Sequence, residues 1–272
     1  MSPLSCYADL LRQSGLERCD AQVLFHHATG HGRAWLISHD RDPVAAEHAA
    51  AFEALAARRR AGEPVAYIVG VREFFGREFR VSPAVLIPRP ETELLVELAL
   101  QRAPQGACVL DLGCGSGCIP VTLKLERPDL AVTAVDISPA ALAVAQDNAG
   151  RLGAEVRLLE SDWFATLADA SFDLIVSNPP YIERHDPHLQ LGDLRFEPRN
   201  ALTDGADGLA HLRVIVAGAA SRLKPGGWLL FEHGYDQGAA SRQLLEAAEF
   251  AGVQTWADLA GNDRVSGGYV SA

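Results

Sequence analysis

From residue 109 onward the apolar positions fall into two alternating rhythms. Val109-Leu110-Asp111-Leu112, Ala131 to Val135, Val156 to Leu159 and Asp173 to Ser177 are short runs rich in valine, leucine and isoleucine. Such runs read as strands buried on both faces, the pattern of a parallel sheet. Between them, helical spacing carries Ile119, Val121, Leu123 and Leu125, and a further helix is predicted from Pro139 to Leu152. Strand and helix in alternation predict an α/β fold.

The first 69 residues follow a different rhythm and read as a small helical domain. Leu4 to Arg12 places Leu4, Tyr7, Ala8 and Leu11 on one face, closed by Gly15. Asp20 is predicted to cap a second helix through Val23, Leu24 and His27, ended by Gly30. A long alanine-rich helix is expected after Asp42-Pro43, with the proline in its first turn, running to Arg60. Residues 70–88 then change character. Phe74, Phe75, Phe79, Val81, Val85, Leu86 and Ile87 alternate with polar residues around Gly76, which predicts a hairpin linker. The second domain is expected to span residues 89–272. Its entry, Pro88-Arg89-Pro90-Glu91-Thr92-Glu93, leads into a helix from Thr92 to about Arg102. That entry reads equally as a capped helix start and as a cover over a site.

Composition narrows the function classes. At 272 residues, with 48% hydrophobic and 22% charged side chains, the chain is of ordinary globular character. Neither a membrane-spanning run nor a signal-peptide pattern is visible, so a cytoplasmic protein is expected. Five cysteines without a framework spacing suit a reducing compartment, and Cys114 and Cys118 lack the second pair that zinc would require. Residues 1–69 hold eight acidic and seven basic side chains, so nearly all of the net charge of −11 lies beyond them. A region that acidic is a poor match for a phosphate backbone, and direct nucleic-acid binding is not expected. Arg58, Arg59 and Arg60 could form a local basic patch, but a solvated helix end is the simpler reading. His26, His27 and His31 read as surface or core-edge residues rather than metal ligands.

The candidate chemistry sits at strand ends, the edge where ligands bind in open α/β sheets. Asn178-Pro179-Pro180-Tyr181 directly follows the strand ending at Ser177. Two prolines cannot extend a central strand, so the tetrapeptide forms a stiff loop with carbonyl acceptors, an amide and an aromatic ring. Such a loop is shaped to hold a planar NH2 group; a rigid turn with a half-buried tyrosine is the alternative. Gly113-Cys114-Gly115-Ser116-Gly117 follows another strand, where glycines permit sharp turns and close approach to a ligand. Asp111, just before them, suits a ligand with a positive amino-acid head group better than a pyrophosphate. Asp136 ends the next strand and is placed to accept hydrogen bonds from ribose hydroxyls. Asp162 and Trp163 follow a further strand, where a carboxylate can bond an adenine amine and an indole can pack on the base.

This layout resembles the class I S-adenosylmethionine-dependent methyltransferases, and the Asn-Pro-Pro-Tyr signature resembles their branch that methylates planar nitrogens. Within it, Phe75-Gly76-Arg77-Glu78-Phe79, Leu86-Ile87-Pro88-Arg89-Pro90-Glu91-Thr92-Glu93 and Glu197-Pro198-Arg199-Asn200-Ala201-Leu202 are similar to the peptide chain release factor glutamine methyltransferases. Lys224-Pro225-Gly226-Gly227 and Glu232-His233-Gly234 fit the same family. The resemblance implies a Rossmann-like methyltransferase sheet with a small N-terminal helical domain, and S-adenosylmethionine as cofactor. Gly113 to Gly117 would wrap its methionine part, Asp136 its ribose, and Asp162 with Trp163 its adenine. Asn178 and the Pro179 carbonyl would accept the two N–H bonds of a glutamine amide, with Pro180 in the same loop and Tyr181 beside the amide. The implied substrate is the glutamine of the Gly-Gly-Gln motif of class I release factors. A monomer free of membrane and nucleic acid is expected, its helical domain docking the protein substrate. A ribosomal-protein glutamine methyltransferase shares the tetrapeptide, although the Pro-Arg-Pro-Glu-Thr-Glu stretch favours the release-factor branch. A DNA adenine methyltransferase shares it too, against the charge of this domain and its lack of a target-recognition insertion. A catalytically silent binding module is the reading outside methyl transfer.

Overall fold

The structure, a computed structural model, describes residues 6–167 and 170–271. It divides into two compact units, Met1–Val71 and Arg72–Ala272. The first contains α1 (Tyr7–Gln13), α2 (Arg18–Thr29), α3 (Arg33–His39), α4 (Ala46–Arg60) and α5 (Val65–Val69). Their shared core is built on Tyr7, Leu10, Leu24, Phe25, Phe52 and Ile68.

Several local expectations shift here. Leu4 lies outside the described residues. In α1 the buried face is Tyr7 and Leu10, while Ala8 is exposed. Glu17 rather than Asp20 stands at the start of α2, and Asp20 pairs with Arg59 at 2.7 Å. Its buried face is Ala21, Leu24 and Phe25, with Val23 exposed, because Phe25 finds the rings of Tyr7 and Phe52 at 5.6 and 6.2 Å. Pro43 precedes α4 instead of occupying its first turn, since Ala45 is the residue before the helix. The Arg58–Arg60 triplet is a paired helix end: Arg58 bonds Glu63, and Arg60 bonds Glu53 and the Ser14 carbonyl. His31 stacks flat on Trp35 at 4.0 Å.

The predicted hairpin follows, β1 (Val71–Phe74) and β2 (Arg77–Arg80), turned through Phe75 and Gly76, both at positive φ. That pair of left-handed residues matches the twist of a two-residue hairpin turn. Phe74 and Phe79 are fully buried in the main core, so this stretch contributes to packing rather than acting as a spacer. Glu93–Arg102 forms α6. There follow β3 (Cys108–Leu112), α7 (Cys118–Glu126), β4 (Ala131–Asp136), α8 (Pro139–Leu152), β5 (Arg157–Glu160) and β6 (Phe172–Ser177). Then come α9 (Ala210–Ala220), β7 (Leu223–Glu232), α10 (Gly238–Ala247), β8 (Ala251–Ala257) and β9 (Asp263–Tyr269).

Seven strands form one sheet in the order β5-β4-β3-β6-β7-β9-β8, parallel except for β9 against its two neighbours. Alternate residues feed two apolar clusters: Val109, Val176 and Leu230 face one, and Leu110, Ile175 and Leu229 the other. The period of two along each strand dictates this division. Lys224 to Gly227 form a bulge inside β7, where the pairing with β6 slips. The chain winds outward from β3 in one direction and from β6 in the other. That reversal leaves a crevice at their carboxyl ends. Leu112 lies opposite Ser177, and the Ser177 hydroxyl donates to the Leu112 carbonyl at 2.8 Å. This register sets Gly113 beside Asn178.

Candidate active site

A cavity of about 320 Å³ occupies this crevice. Its floor is the glycine loop. The amides of Gly113 and Cys114 both donate to the Val135 carbonyl, at 2.9 and 3.0 Å, which pins the loop to the end of β4. Gly113 and Gly115 have φ of 75° and 53°, a region that side chains with a Cβ rarely adopt. A Cβ on Gly115 would point into open space, so the bare backbone keeps that approach clear. Gly117, expected among the ligand contacts, is not part of the lining. It precedes α7 at φ 79°, and a Cβ there would meet Ala145 at 3.1 Å. Its lack of a side chain serves the packing of α7 against α8.

Asp111 also departs from expectation. Its side chain is fully buried behind the loop, does not line the cavity, and neither carboxylate oxygen has a hydrogen-bond partner. Burial first, and the charge of Asp136 second, push its carboxyl well above the usual range.

Asp136 takes the position expected of it, on the cavity wall. Its Oδ2 accepts from the Gly115 amide and its Oδ1 from the Ser138 amide, both at 2.9 Å. Each oxygen retains acceptor capacity, so a vicinal diol can be bound by a carboxylate already oriented by the backbone. Asp162 and Trp163 line the same cavity. Trp163 sits at φ 48°, an unusual backbone for a bulky residue, and its ring lies 5.1 Å from that of His211. Burial pushes the His211 imidazole below its ordinary pKa, against the pull of Asp204 and Asp162. Asp136, the aromatic wall at Trp163 and the open glycine backbone line one cavity, and together they fit an adenosyl cofactor with an amino-acid tail.

Asn178 and Pro180 complete the wall of this cavity, and Asn178 also lines a second, smaller one of about 60 Å³. Pro179 and Tyr181 line only the smaller. The Asn178 Nδ2 donates to Thr92 Oγ1 at 3.1 Å, and Thr92 Oγ1 donates to Glu232 Oε2 at 2.7 Å. Tyr181 donates its hydroxyl to the other oxygen, Oε1, at 3.1 Å. Glu232, at the end of β7, is fully buried, which raises its carboxyl; Thr92, Arg264 and Tyr181 act in the opposite direction. Burial and the charge of Glu232 push the Tyr181 phenol far above its usual range, so it remains a neutral donor.

Thr92 was legible only as part of a helix start, and Glu232 only as a strand end. Arg89, which lines both cavities, pairs with the buried carboxylate of Glu197. That carboxylate also accepts from the Ile87 amide at 2.9 Å. The bond ties the Pro-Arg-Pro-Glu-Thr-Glu stretch to the Glu-Pro-Arg-Asn-Ala-Leu stretch, whose Asn200 and Ala201 line the larger cavity. His211 carried no sequence signal because it lies in an ordinary helical pattern. Among the described residues no group of His, Cys, Asp and Glu could hold a metal ion.

The family described as PrmC N-terminal domain matches residues 4–70, and the Methyltransferase small domain matches residues 90–207. The chain is 56% identical over 268 residues to the release factor glutamine methyltransferase of Bordetella pertussis, covering 96% of this chain and 98% of that protein. The enzyme of the same name from Burkholderia pseudomallei is also 56% identical, over 96% of this chain and 95% of its own length. Among solved structures, the T. thermophilus 16S rRNA N2 G1207 methyltransferase, in complex with AdoMet and guanosine, is similar at 26% identity and a TM-score of 0.54. That match covers 74% of this chain but only 49% of the other, so it spans about half of that structure. Identity of this extent, along nearly the whole of each curated relative, shows that the chain belongs to the release factor glutamine methyltransferase family.

Proposed function

We propose that this protein transfers a methyl group from S-adenosylmethionine to the side-chain amide nitrogen of the glutamine in the Gly-Gly-Gln motif of class I peptide chain release factors. The observation that carries the reading is the pair of adjoining cavities that share Asn178. The larger has the floor, diol acceptor and aromatic wall suited to the cofactor. The smaller, walled by Pro179 and Tyr181, has room for a side-chain amide. No helix among the described residues is long and apolar enough to cross a membrane, and the enzyme is proposed to act as a cytoplasmic monomer. The first unit is proposed to dock the protein substrate.

When bound, S-adenosylmethionine supplies an electrophilic methyl group on a sulfonium. Asp136, Asp162 and Trp163 would hold its adenosine part, and the backbone of Gly113 to Ser116 its amino-acid part. The amide nitrogen of glutamine is a weak nucleophile because its lone pair is delocalised into the carbonyl. Asn178 Oδ1 and the Pro179 carbonyl accept its two N–H bonds, which fixes the nitrogen at the boundary of the two cavities. The same acceptors stabilise positive charge as it develops on that nitrogen. Tyr181, tethered to Glu232, supplies a fixed wall to the smaller cavity. The test is transfer of labelled methyl to purified release factor, to its Gly-Gly-Ala variant, to ribosomal protein and to DNA side by side. Label on the intact factor alone is expected; equal label on the Gly-Gly-Ala variant would overturn the reading.

A further inference from the structure

A side-chain amide has two ends, and the proposed reaction uses only one. To accept a proton from the substrate, Asn178 must turn its carbonyl to the smaller cavity. Turned the other way, it would set an NH2 group against the substrate NH2, donor against donor. Rotation of the amide exchanges the two ends at little steric penalty, so something beyond shape must select between them.

We propose that Thr92 is the positioning residue that sets the direction of the Asn178 amide, and that Glu232 sets the direction of Thr92. The argument is one of donors and acceptors. Glu232, fully buried, receives two hydroxyls, one on each oxygen: Thr92 at 2.7 Å and Tyr181 at 3.1 Å. Thr92 has a single proton, and it is committed to Glu232. Its oxygen therefore presents only lone pairs to Asn178, and Nδ2, at 3.1 Å, is the end that satisfies them. Oδ1 is left to face the substrate. Thr92 is itself buried, so water has little access to its hydroxyl. The same carboxylate anchors Tyr181, so one group at the end of β7 orients both polar side chains of the tetrapeptide. The three residues come from the helix start at 90–92, the β6 loop and β7, which no sequence motif joins.

This inference rests on Asn178 being the acceptor for the substrate amide, and its test keeps the two apart. Thr92→Val preserves shape and removes the hydroxyl; Thr92→Ser keeps the hydroxyl; Asn178→Ala removes the amide; Glu232→Gln replaces one acceptor oxygen by a donor. Single-turnover methylation of a purified release factor is measured for each beside calorimetric titration of S-adenosylmethionine. Thr92→Val and Glu232→Gln should each slow transfer at least tenfold with cofactor affinity within threefold of the parent, and Thr92→Ser should restore most of the rate. A parental rate in either slow variant, an equal fall in Thr92→Ser, or loss of cofactor binding in Thr92→Val overturns the inference. If Asn178→Ala transfers at the parental rate, the acceptor role of Asn178 falls as well. If only Thr92→Val does so, that role stands and the positioning by Thr92 does not.

Discussion

Asp136 accepts the backbone amide of Gly115 at 2.9 Å, so the carboxylate proposed to hold the ribose also braces the loop proposed to hold the methionine part. The two halves of the cofactor site are therefore one mechanical unit. Loss of a charge-assisted hydrogen bond removes about 1.5–3 kcal/mol, and a tenfold change in affinity corresponds to about 1.4 kcal/mol. Asp136→Ala should thus weaken S-adenosylmethionine binding at least tenfold. Calorimetric titration measures this, and an unchanged affinity would remove Asp136 from the site.

Asn178→Asp keeps size and acceptor but cannot donate to Thr92. It also brings a second carboxylate close to Glu232. Cofactor affinity should change little, while turnover should fall about tenfold, less than the roughly hundredfold expected for Asn178→Ala. Rapid-quench methylation of a release factor checks the order of the two variants. An aspartate variant slower than the alanine variant would assign Asn178 a different task.

Gly117 separates packing from ligand binding. An alanine there would sit at φ 79° with its Cβ 3.1 Å from that of Ala145. Strain and contact together should lower stability by about 1–3 kcal/mol. Urea denaturation should show that loss, while cofactor affinity at low temperature stays within a few-fold. A large fall in affinity at unchanged stability would return Gly117 to the ligand contacts.

Thiol reactivity reports the burial of the two cysteines in the cavity wall. Burial pushes Cys118 up to about 12 and Cys114 well upward, whereas Cys19 is exposed. A raised thiol pKa means less thiolate at any given pH. At pH 8 only about one in ten thousand Cys118 groups would be ionised. Iodoacetamide at that pH should label Cys19 in the native protein and reach Cys114 and Cys118 only after unfolding. Peptide mass spectrometry distinguishes the two patterns.

The first unit can be tested by removal. Residues 72–272 carry both cavities and both apolar clusters of the sheet. Deleting residues 1–69 should leave cofactor binding intact and slow methylation of a folded release factor about tenfold or more, the loss of roughly 1.4 kcal/mol of docking energy. A short Gly-Gly-Gln peptide should be methylated equally by both forms. Full activity of the truncated enzyme on the folded factor would rule out the docking role.

The sequence by itself determined the strand-and-helix order from β3 to β6, the hairpin at Phe75-Gly76, the full extent of α8, and the carboxylate at the end of β4. Each depends on local chemistry: a two-residue turn of positive φ, Ser138 accepting the Ala141 amide with Pro139 behind it, an apolar run ended by a charge. The cavity-lining groups Asp136, Asp162 and Asn178 were legible for the same reason, since each stands at or just after the end of an apolar run.

Only the tertiary structure decided which polar groups meet. Asp111 and Asp136 look alike as strand-end carboxylates, yet one is sealed behind the glycine loop and the other lines the cavity. Their depth relative to the sheet edge separates them, and that depth is set by the pairing of β3 with β4 and β6. Gly117 stands two residues beyond Gly115, but it faces Ala145, while its neighbours Ser116 and Cys118 line the cavity. Thr92, Asn178 and Glu232 are separated by 86 and 54 positions in the chain and joined by two hydrogen bonds. Residue type states what a side chain can donate or accept; only the fold brings its partner within hydrogen-bonding distance, and that partner decides which way the amide faces.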